Sequence, residues 1–221
     1  MKLLFSALTK FIMGLILVGV LLFIPAGTLN YNNGWLFIGL LFIPIFILGI
    51  ILFIKSPELL KKRLDSKESE KTQKGVVAFS ALIFLGGFVM AGLDFRLGWS
   101  YIPKAAVIIA AALFLFSYIL YAEVMRENIY LSRTIKVQEN QKVIDTGLYG
   151  IVRHPMYMAT ILLFLSIPII LGSLYSFIIF LAYPVVIAVR IKKEEELLSA
   201  QLEGYAEYKK KVNYKIIPFI W

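Results

Sequence analysis

The sequence predicts an all-α, polytopic integral membrane protein with about six membrane helices and a cytoplasmic C-terminal helix. Hydrophobic residues make up 60% of the 221 residues, and the mean hydropathy is +0.81, whereas soluble domains contain roughly 45–50% apolar residues. Several apolar runs approach the ~20 residues that a helix needs to cross a bilayer. These runs are continuous rather than alternating, which favours membrane helices over the strands of a barrel.

The residue content narrows the chemistry that the chain can perform. It contains no cysteine and a single histidine. Disulfides, thiolate chemistry and a cysteine nucleophile are therefore excluded, and we expect no protein-bound metal. The formal net charge is +9. In a membrane protein we attribute this charge to basic cytoplasmic loops rather than to nucleic-acid binding.

Four apolar spans make up the predicted N-terminal membrane region, residues 1–125. The spans cover residues 11–29, 35–54, 75–93 and about 103–125. Polar turns, segments or loops separate them at residues 30–34, 55–74 and 94–100. Within the second of these, Pro57 indicates the start of a short helix on the membrane surface.

The C-terminal region, residues 126–221, opens with the longest polar stretch of the chain. Two shorter apolar segments, 155–171 and 175–189, are predicted to form a helical hairpin. We expect residues 190–211 to form a charged helix and the apolar tail 216–221 to return to the membrane interface. The two regions together form one integrated domain.

Lysine and arginine fall almost entirely on one side of the predicted bundle. The N-terminal head, the polar stretches 55–74 and 126–154, and the chain from Arg190 onward contain 21 of these residues, and only Arg96 and Lys104 lie in the opposite loops. The positive-inside rule therefore places both termini and these stretches in the cytoplasm.

One stretch, residues 146–157, concentrates polar and aromatic side chains between apolar segments and holds the only histidine. Pro155 suits the first position of a helix and disfavours helical geometry at the residue before it. Arg153 and His154 are therefore predicted at the polar mouth of a helix. Free N–H groups and the helix dipole suit an anion there; the alternative is a charged anchor at the membrane edge.

A second polar cluster, residues 190–196, follows the hairpin. Arg190 and Glu194 are four residues apart and share a helix face, whereas Glu195 lies about 100° round the helix. The hairpin returns Arg190 to the membrane face that holds Arg153. The alternative is an ordinary solvated helix, which we accept for Lys192, Lys193 and Glu196.

Several of these residues belong to an ordered set of motifs. The set reads Thr146-Gly147-Leu148-Tyr149, then Arg153-His154-Pro155-x-Tyr157, then Arg190-x-x-x-Glu194-Glu195, then Gly204-Tyr205-x-x-Tyr208 and Val212. Over about residues 141–218 the chain resembles the isoprenylcysteine carboxyl methyltransferase family, and the membrane phospholipid N-methyltransferases are similar in this half. Residues 94–100 resemble a loop of the bacterial members, which implies a bacterial or archaeal cell membrane.

The resemblance implies S-adenosylmethionine as the methyl donor, bound at the cytoplasmic membrane edge without a metal. The residues placed in the cofactor site on this basis are Gln141, Lys142, Val143, Ile144, Tyr149, His154, Pro155, Met156, Tyr157, Glu194 and Glu195. The catalytic candidates are Arg190 and Arg153. The first matches an arginine that contacts the substrate in the related enzymes, and the second suits the carboxylate of the cofactor.

Simpler roles stay open for several of these residues. They are membrane-interface positions for Tyr149 and Tyr157, backbone bonding at a helix start for His154, and exposure to solvent for Glu195. We expect Tyr205 and Tyr208 to be packing residues of the terminal helix.

The sequence therefore predicts methyl transfer from S-adenosylmethionine to a lipid-like or prenylated acceptor that enters from the bilayer. A carboxylate is already nucleophilic at neutral pH and fits the guanidinium of Arg190, whereas an amine must first lose a proton to a general base. A carboxyl or other oxygen acceptor is thus preferred. The alternatives are a phospholipid N-methyltransferase, an NADPH-dependent enzyme resembling sterol reductases, and a non-catalytic membrane scaffold.

Overall fold

A computed structural model describes residues 2–64, 71–131 and 137–221. The helices are α1 (Lys2–Ala26), α2 (Asn32–Lys55), α3 (Pro57–Leu64), α4 (Lys71–Leu97), α5 (Lys104–Glu127), a 3₁₀ turn (Gly147–Gly150), α6 (Pro155–Leu171), α7 (Leu174–Phe180), α8 (Ala182–Gln201) and α9 (Tyr205–Lys211). The predicted polar segments 55–74 and 126–154 fall partly outside the described residues.

The described helices confirm the prediction of an all-α, polytopic membrane protein. Five helical stretches are long and apolar enough to cross a membrane, namely Leu3–Ala26, Asn32–Lys55, Gly75–Leu97, Lys104–Glu127 and Leu174–Gln201. Helix α6 is a sixth, shorter apolar helix of 17 residues. At about 1.5 Å per residue it is about 25 Å long, slightly less than the ~30 Å hydrocarbon core.

Helix α6 lies at the centre of the bundle and contacts α2, α4, α5, α7 and α8. Aromatic rings pack beside it: Phe84 lies edge-on to Phe164 and Phe180, with ring centroids 4.6 Å and 5.4 Å apart. Such pairs contribute about 0.5–1.5 kcal/mol each beyond the area they bury. A side chain on Gly87 would place its Cβ 2.3 Å from the Phe180 ring, so glycine lets α4 approach α7 closely.

The two ends of α6 follow from local sequence. Pro155 occupies the first helical turn and His154 precedes it as the N-cap residue, since proline needs no N–H partner there. Gly172 ends the helix in the left-handed conformation, with φ 80°, which glycine adopts without steric cost. The predicted bounds 155–171 agree with the structure.

The second arm of the hairpin differs from the prediction. It is not one apolar helix over 175–189 followed by a separate charged helix over 190–211. Helix α8 instead continues from the apolar segment through the charged residues to Gln201, and Gly204, with φ 80°, separates it from α9. The boundary is set by this glycine rather than by the change from apolar to charged residues.

The predicted loop 94–100 is also partly helical. Helix α4 continues to Leu97 and ends at Gly98, whose φ is 66°. Asp94 therefore lies in the last turn of a helix, where its carboxylate accepts hydrogen bonds from the N–H and the hydroxyl of Ser100.

Candidate functional site

The C-terminal tail is hydrogen-bonded to the start of α6. The N–H of Arg153 donates to the carbonyl of Tyr214 at 2.9 Å, and the N–H of His154 donates to the carbonyl of Lys215 at 2.8 Å. The sequence predicted free N–H groups for an anion at this helix mouth. The N–H groups of Arg153 and His154 precede the first helical residue, and both are bonded to the tail, so neither is available to an anion.

A buried cluster of opposite charges lies directly at this end of α6. The carboxylate of Glu195 accepts from Nε of Arg153 at 2.7 Å, and Nε2 of His154 lies 3.3 Å from the same oxygen. The three residues are 5–7% exposed. Nζ of Lys209 and Nζ of Lys215 lie 3.8 Å and 4.0 Å from the other carboxylate oxygen.

The burial of this cluster corrects two expectations. His154 was placed at a polar edge with little core packing, and Glu195 was given solvent exposure as an alternative, yet both side chains are buried. Arg153 also donates to the carbonyl of Val212 at 2.6 Å. A buried pair of this kind is held by its hydrogen bonds, and removing one partner leaves an uncompensated charge.

A second polar group lies one turn further along α6. The hydroxyl of Tyr157 donates to Glu194 at 2.5 Å and accepts from Nε of Arg190 at 2.9 Å. Tyr157 is buried and the two charged residues are partly buried. The shared helix face of Arg190 and Glu194, predicted from their spacing, is thus turned toward α6. Lys192, by contrast, faces outward and is exposed.

The segment 141–149 packs against the C-terminal helix. Val143 contacts the apolar cluster formed by Leu202, Tyr205, Tyr208 and Val212, and the hydroxyl of Tyr208 donates to the carbonyl of Tyr149 at 2.7 Å. Asp145 forms an exposed ion pair with Lys211 at 2.8 Å, and this hydrogen bond lowers the pKa of Asp145. Ile144 and Met156 pack instead against the cluster that contains Tyr149.

The predicted residues thus fall into three groups, which are the ion cluster around Glu195, the polar group around Tyr157 and the segment 141–149. These three groups are together called the charged end of the bundle. Gln141 and Lys142 lie at its solvent-facing edge, partly exposed and exposed respectively. Pro155 is buried at the start of α6. In the described part of the chain, no three histidine, aspartate or glutamate side chains come together as a metal site.

Two residues that position the 3₁₀ turn, Glu127 and Asn128, were not identified from the sequence. The N–H of Leu148 donates to Glu127 at 3.2 Å, and Asn128 donates from Nδ2 to the hydroxyl of Tyr149 at 2.9 Å. Gly147 has φ 51°, and a Cβ there would lie 1.7 Å from the Glu127 carboxylate. The only available signal was the glycine itself, because Glu127 is 20 residues away at the end of a membrane helix.

A large apolar cavity of about 770 Å³ opens among α1, α2, α3, α5 and α6. Its walls include Phe11, Phe42, Leu60, Tyr118 and Thr160. Thr160 lies one turn of α6 from Tyr157, and its hydroxyl donates to the carbonyl of Tyr157 at 3.1 Å. The volume lies within the roughly 300–1,000 Å³ of ligand pockets.

Part of the chain is similar to a known protein family. Residues 105–203 match the family model described as phospholipid methyltransferase, a stretch that runs from the start of α5 past the end of α8 and contains every predicted site residue. No curated protein is significantly similar to the chain. The match supports the predicted relation to membrane methyltransferases, whereas the finer resemblance to isoprenylcysteine carboxyl methyltransferases stays a hypothesis. The chain is accordingly a polytopic membrane protein that, over residues 105–203, is similar to the phospholipid methyltransferases.

Proposed function

We propose that the protein transfers a methyl group from S-adenosylmethionine to a lipid-like acceptor at the charged end. The observation that carries the proposal is the Arg190–Tyr157–Glu194 group, which lies inside the matched methyltransferase region and next to an apolar cavity. Methyl transfer is an in-line displacement, so holding two reactants in the correct orientation supplies much of the rate. Polar groups beside an apolar cavity suit that task.

The side chains present fit the chemistry of this cofactor. S-adenosylmethionine carries a methyl sulfonium, an amino-acid end with both charges, a ribose and an adenine, and it supplies the methyl group for transfer. Glu194 can accept from ribose hydroxyls or the ammonium. The segment 141–144 offers backbone groups, and Tyr149, His154, Met156 and Tyr157 offer aromatic and apolar surface.

The contacts of Arg153 and Glu195 favour a positioning role for this pair. The two side chains form a hydrogen-bonded ion pair with each other. Arg153 also donates to the carbonyl of Val212, and His154 contacts the Glu195 carboxylate. We propose that the pair fixes the tail and the start of α6, so that His154 and Tyr157 keep their places beside the bound cofactor.

The apolar cavity supports a lipid-like acceptor. An acceptor with a hydrocarbon chain buries that chain among Phe11, Phe42 and Leu60, while its polar end remains close to Thr160 and Tyr157. Because lipid tails and these side chains are similarly apolar, a hydrocarbon chain can pass from the bilayer into this cavity without a large change in its solvation.

Arg190 favours a carboxyl or other oxygen acceptor. Its guanidinium, held by the Tyr157 hydroxyl, can bind a carboxylate through two parallel hydrogen bonds. The Arg190→Lys variant is expected to lose turnover by at least about tenfold, because a point charge replaces the planar fork. Cofactor affinity should remain close to that of the wild type.

A second candidate is methyl transfer to an amine headgroup, favoured by the description of the matching family. One experiment separates the two. Purified protein is incubated with total lipid extract and S-adenosylmethionine labelled in the methyl group, and the labelled lipid is treated with alkali. A methyl ester releases labelled methanol, whereas an N-methyl group is stable.

We expect alkali-labile label from the wild type and from the Lys193→Ala control, whose lysine is exposed on the same helix, and a much smaller yield from Arg190→Lys. Stable label in an amine lipid would establish the second candidate. No transfer of label to any lipid would count against both.

We also propose that both termini lie in the cytoplasm, because 21 lysines and arginines lie on one side of the predicted spans and two on the other. A topology reporter fused after Trp221 should therefore read as cytoplasmic. An extracytoplasmic reading would place the charged end on the wrong side for a cytoplasmic cofactor.

A further inference from the structure

Tyr205 contains a buried hydroxyl that the packing of the protein leaves unexplained. Its side chain is 4% exposed, and among the described residues no hydrogen-bond partner reaches its hydroxyl oxygen. A buried hydroxyl without a partner destabilises the folded state by about 1–3 kcal/mol. Such groups are rare in native proteins, and they point to a ligand or to a role in function.

The position of Tyr205 relates this hydroxyl to the charged end. The ring packs in the apolar cluster with Val143, a residue of the predicted cofactor segment. Glu195, Glu194 and Arg153 are the charged groups that act on the hydroxyl electrostatically. Tyr205 therefore belongs to the cluster that contacts the cofactor segment, and its hydroxyl is within the electrostatic reach of the acidic residues of α8.

The ionisation state of Tyr205 is suited to hydrogen bonding. Burial, followed by the negative charges of Glu195 and Glu194, raises the pKa of Tyr205 far above its ordinary value. The hydroxyl consequently keeps its proton at neutral pH and can both donate and accept.

Tyr208, one turn further along α9, provides the contrast. It is also buried, at 5% exposed, and its ring lies 5.7 Å from that of Tyr205. Its hydroxyl, however, donates to the carbonyl of Tyr149 at 2.7 Å. Two neighbouring tyrosines of similar burial thus differ in one respect. The hydroxyl of Tyr208 has a hydrogen-bond partner, whereas that of Tyr205 has none among the described residues.

We propose that the Tyr205 hydroxyl hydrogen-bonds the amino-acid end of bound S-adenosylmethionine. This inference rests on the proposed function. The amino-acid end is the part of the cofactor that carries an ammonium and a carboxylate. The hydroxyl has charges of both signs around it, negative from Glu194 and Glu195 and positive from Arg153. The adenine has no such charges.

The test compares Tyr205→Phe with Tyr208→Phe in two measurements. Without ligand, Tyr205→Phe should unfold at the wild-type temperature or above it, because no protein hydrogen bond is removed. Tyr208→Phe should unfold at a lower temperature. In calorimetry with S-adenosylhomocysteine, Tyr205→Phe should bind at least about tenfold more weakly than the wild type, as expected for a lost hydrogen bond to a charged group.

Methylthioadenosine, which lacks the amino-acid end, separates the two halves of the ligand. Its affinity should be the same for the wild type and Tyr205→Phe. Wild-type affinity of the variant for S-adenosylhomocysteine would overturn the inference. So would an equal loss for both ligands, or a fall in unfolding temperature as large as that of Tyr208→Phe. A wild type that binds neither ligand would overturn the proposed function itself, and this inference with it.

Discussion

The two ends of α6 both bury a carboxylate, but they satisfy it in different ways. At the charged end, Glu195 is held by Arg153 and His154, with two lysines within 4.0 Å. At the opposite end, beyond Leu171, Asp94 is 2% exposed. It accepts from the Ser100 N–H at 2.7 Å, the Ser100 hydroxyl at 2.6 Å and the Ser173 hydroxyl at 2.5 Å.

The donors at the opposite end are themselves fully used. The hydroxyl of Ser173 accepts from the N–H of Ser176 at 3.0 Å, and the hydroxyl of Ser176 donates to the carbonyl of Gly87 at 2.8 Å. Tyr31 adds a bond from its hydroxyl to the carbonyl of Leu171 at 2.5 Å. This closed network ties α2, α4 and the turn between α6 and α7 together.

The different partners of Asp94 and Glu195 help to distinguish a carboxylate with a structural role from one in a ligand-binding site. Both oxygens of Asp94 accept hydrogen bonds from protein groups, and among the described residues no buried side-chain polar atom around Asp94 lacks a partner. At the charged end, cations exceed what Glu195 needs, and the Tyr205 hydroxyl nearby has no partner in the described chain. A buried carboxylate therefore does not by itself identify a ligand site. We take a nearby polar group without a hydrogen-bond partner as the additional sign of one.

The largest effect is expected from Glu195→Ala. Removing this carboxylate leaves the Arg153 guanidinium buried without its counter-charge, which costs about 3–5 kcal/mol of unfolding free energy. Binding of S-adenosylhomocysteine should weaken as well, since His154 and the tail lose their anchor. Denaturant unfolding and calorimetry measure the two effects, and Glu196→Ala, an exposed neighbour, is the control that should change little.

A smaller effect, confined to stability, is expected from Asp94→Asn. The amide keeps the shape of the side chain but replaces one acceptor oxygen with a donor. At least one of the serine groups that donate to Asp94 therefore loses its acceptor. The expected cost is about 1–3 kcal/mol. Affinity for S-adenosylhomocysteine should be unchanged. If this variant loses affinity while its stability is retained, the contrast between the two ends of α6 is wrong.

Features that depend only on neighbouring residues could be predicted from the sequence. Pro155 and Gly172 delimit α6 because one residue lacks an N–H and the other adopts positive φ freely, and neither property depends on distant contacts. The four-residue spacing of Arg190 and Glu194 likewise predicted a shared face, since helix geometry alone determines it.

The burial of Glu195 could not be predicted in the same way. Lys192, Lys193 and the three glutamates form one charged run, and nothing local indicates which member faces inward. The choice depends on the tail, whose carbonyls at Tyr214 and Lys215 bond the start of α6. The contact between Glu127 and the 3₁₀ turn was missed for the same reason, because it joins residues that are separated along the chain.

The most direct test of the account is the ligand selectivity of the purified wild-type protein, measured by thermal unfolding in detergent. S-adenosylmethionine and S-adenosylhomocysteine should each raise the unfolding temperature in a concentration-dependent way, by an amount equivalent to about 2.7 kcal/mol at a hundred times the dissociation constant. NADPH should have no effect. Stabilisation by NADPH and not by the two sulfur compounds would identify a reductase, and no response to any of the three would contradict a cofactor site at the charged end.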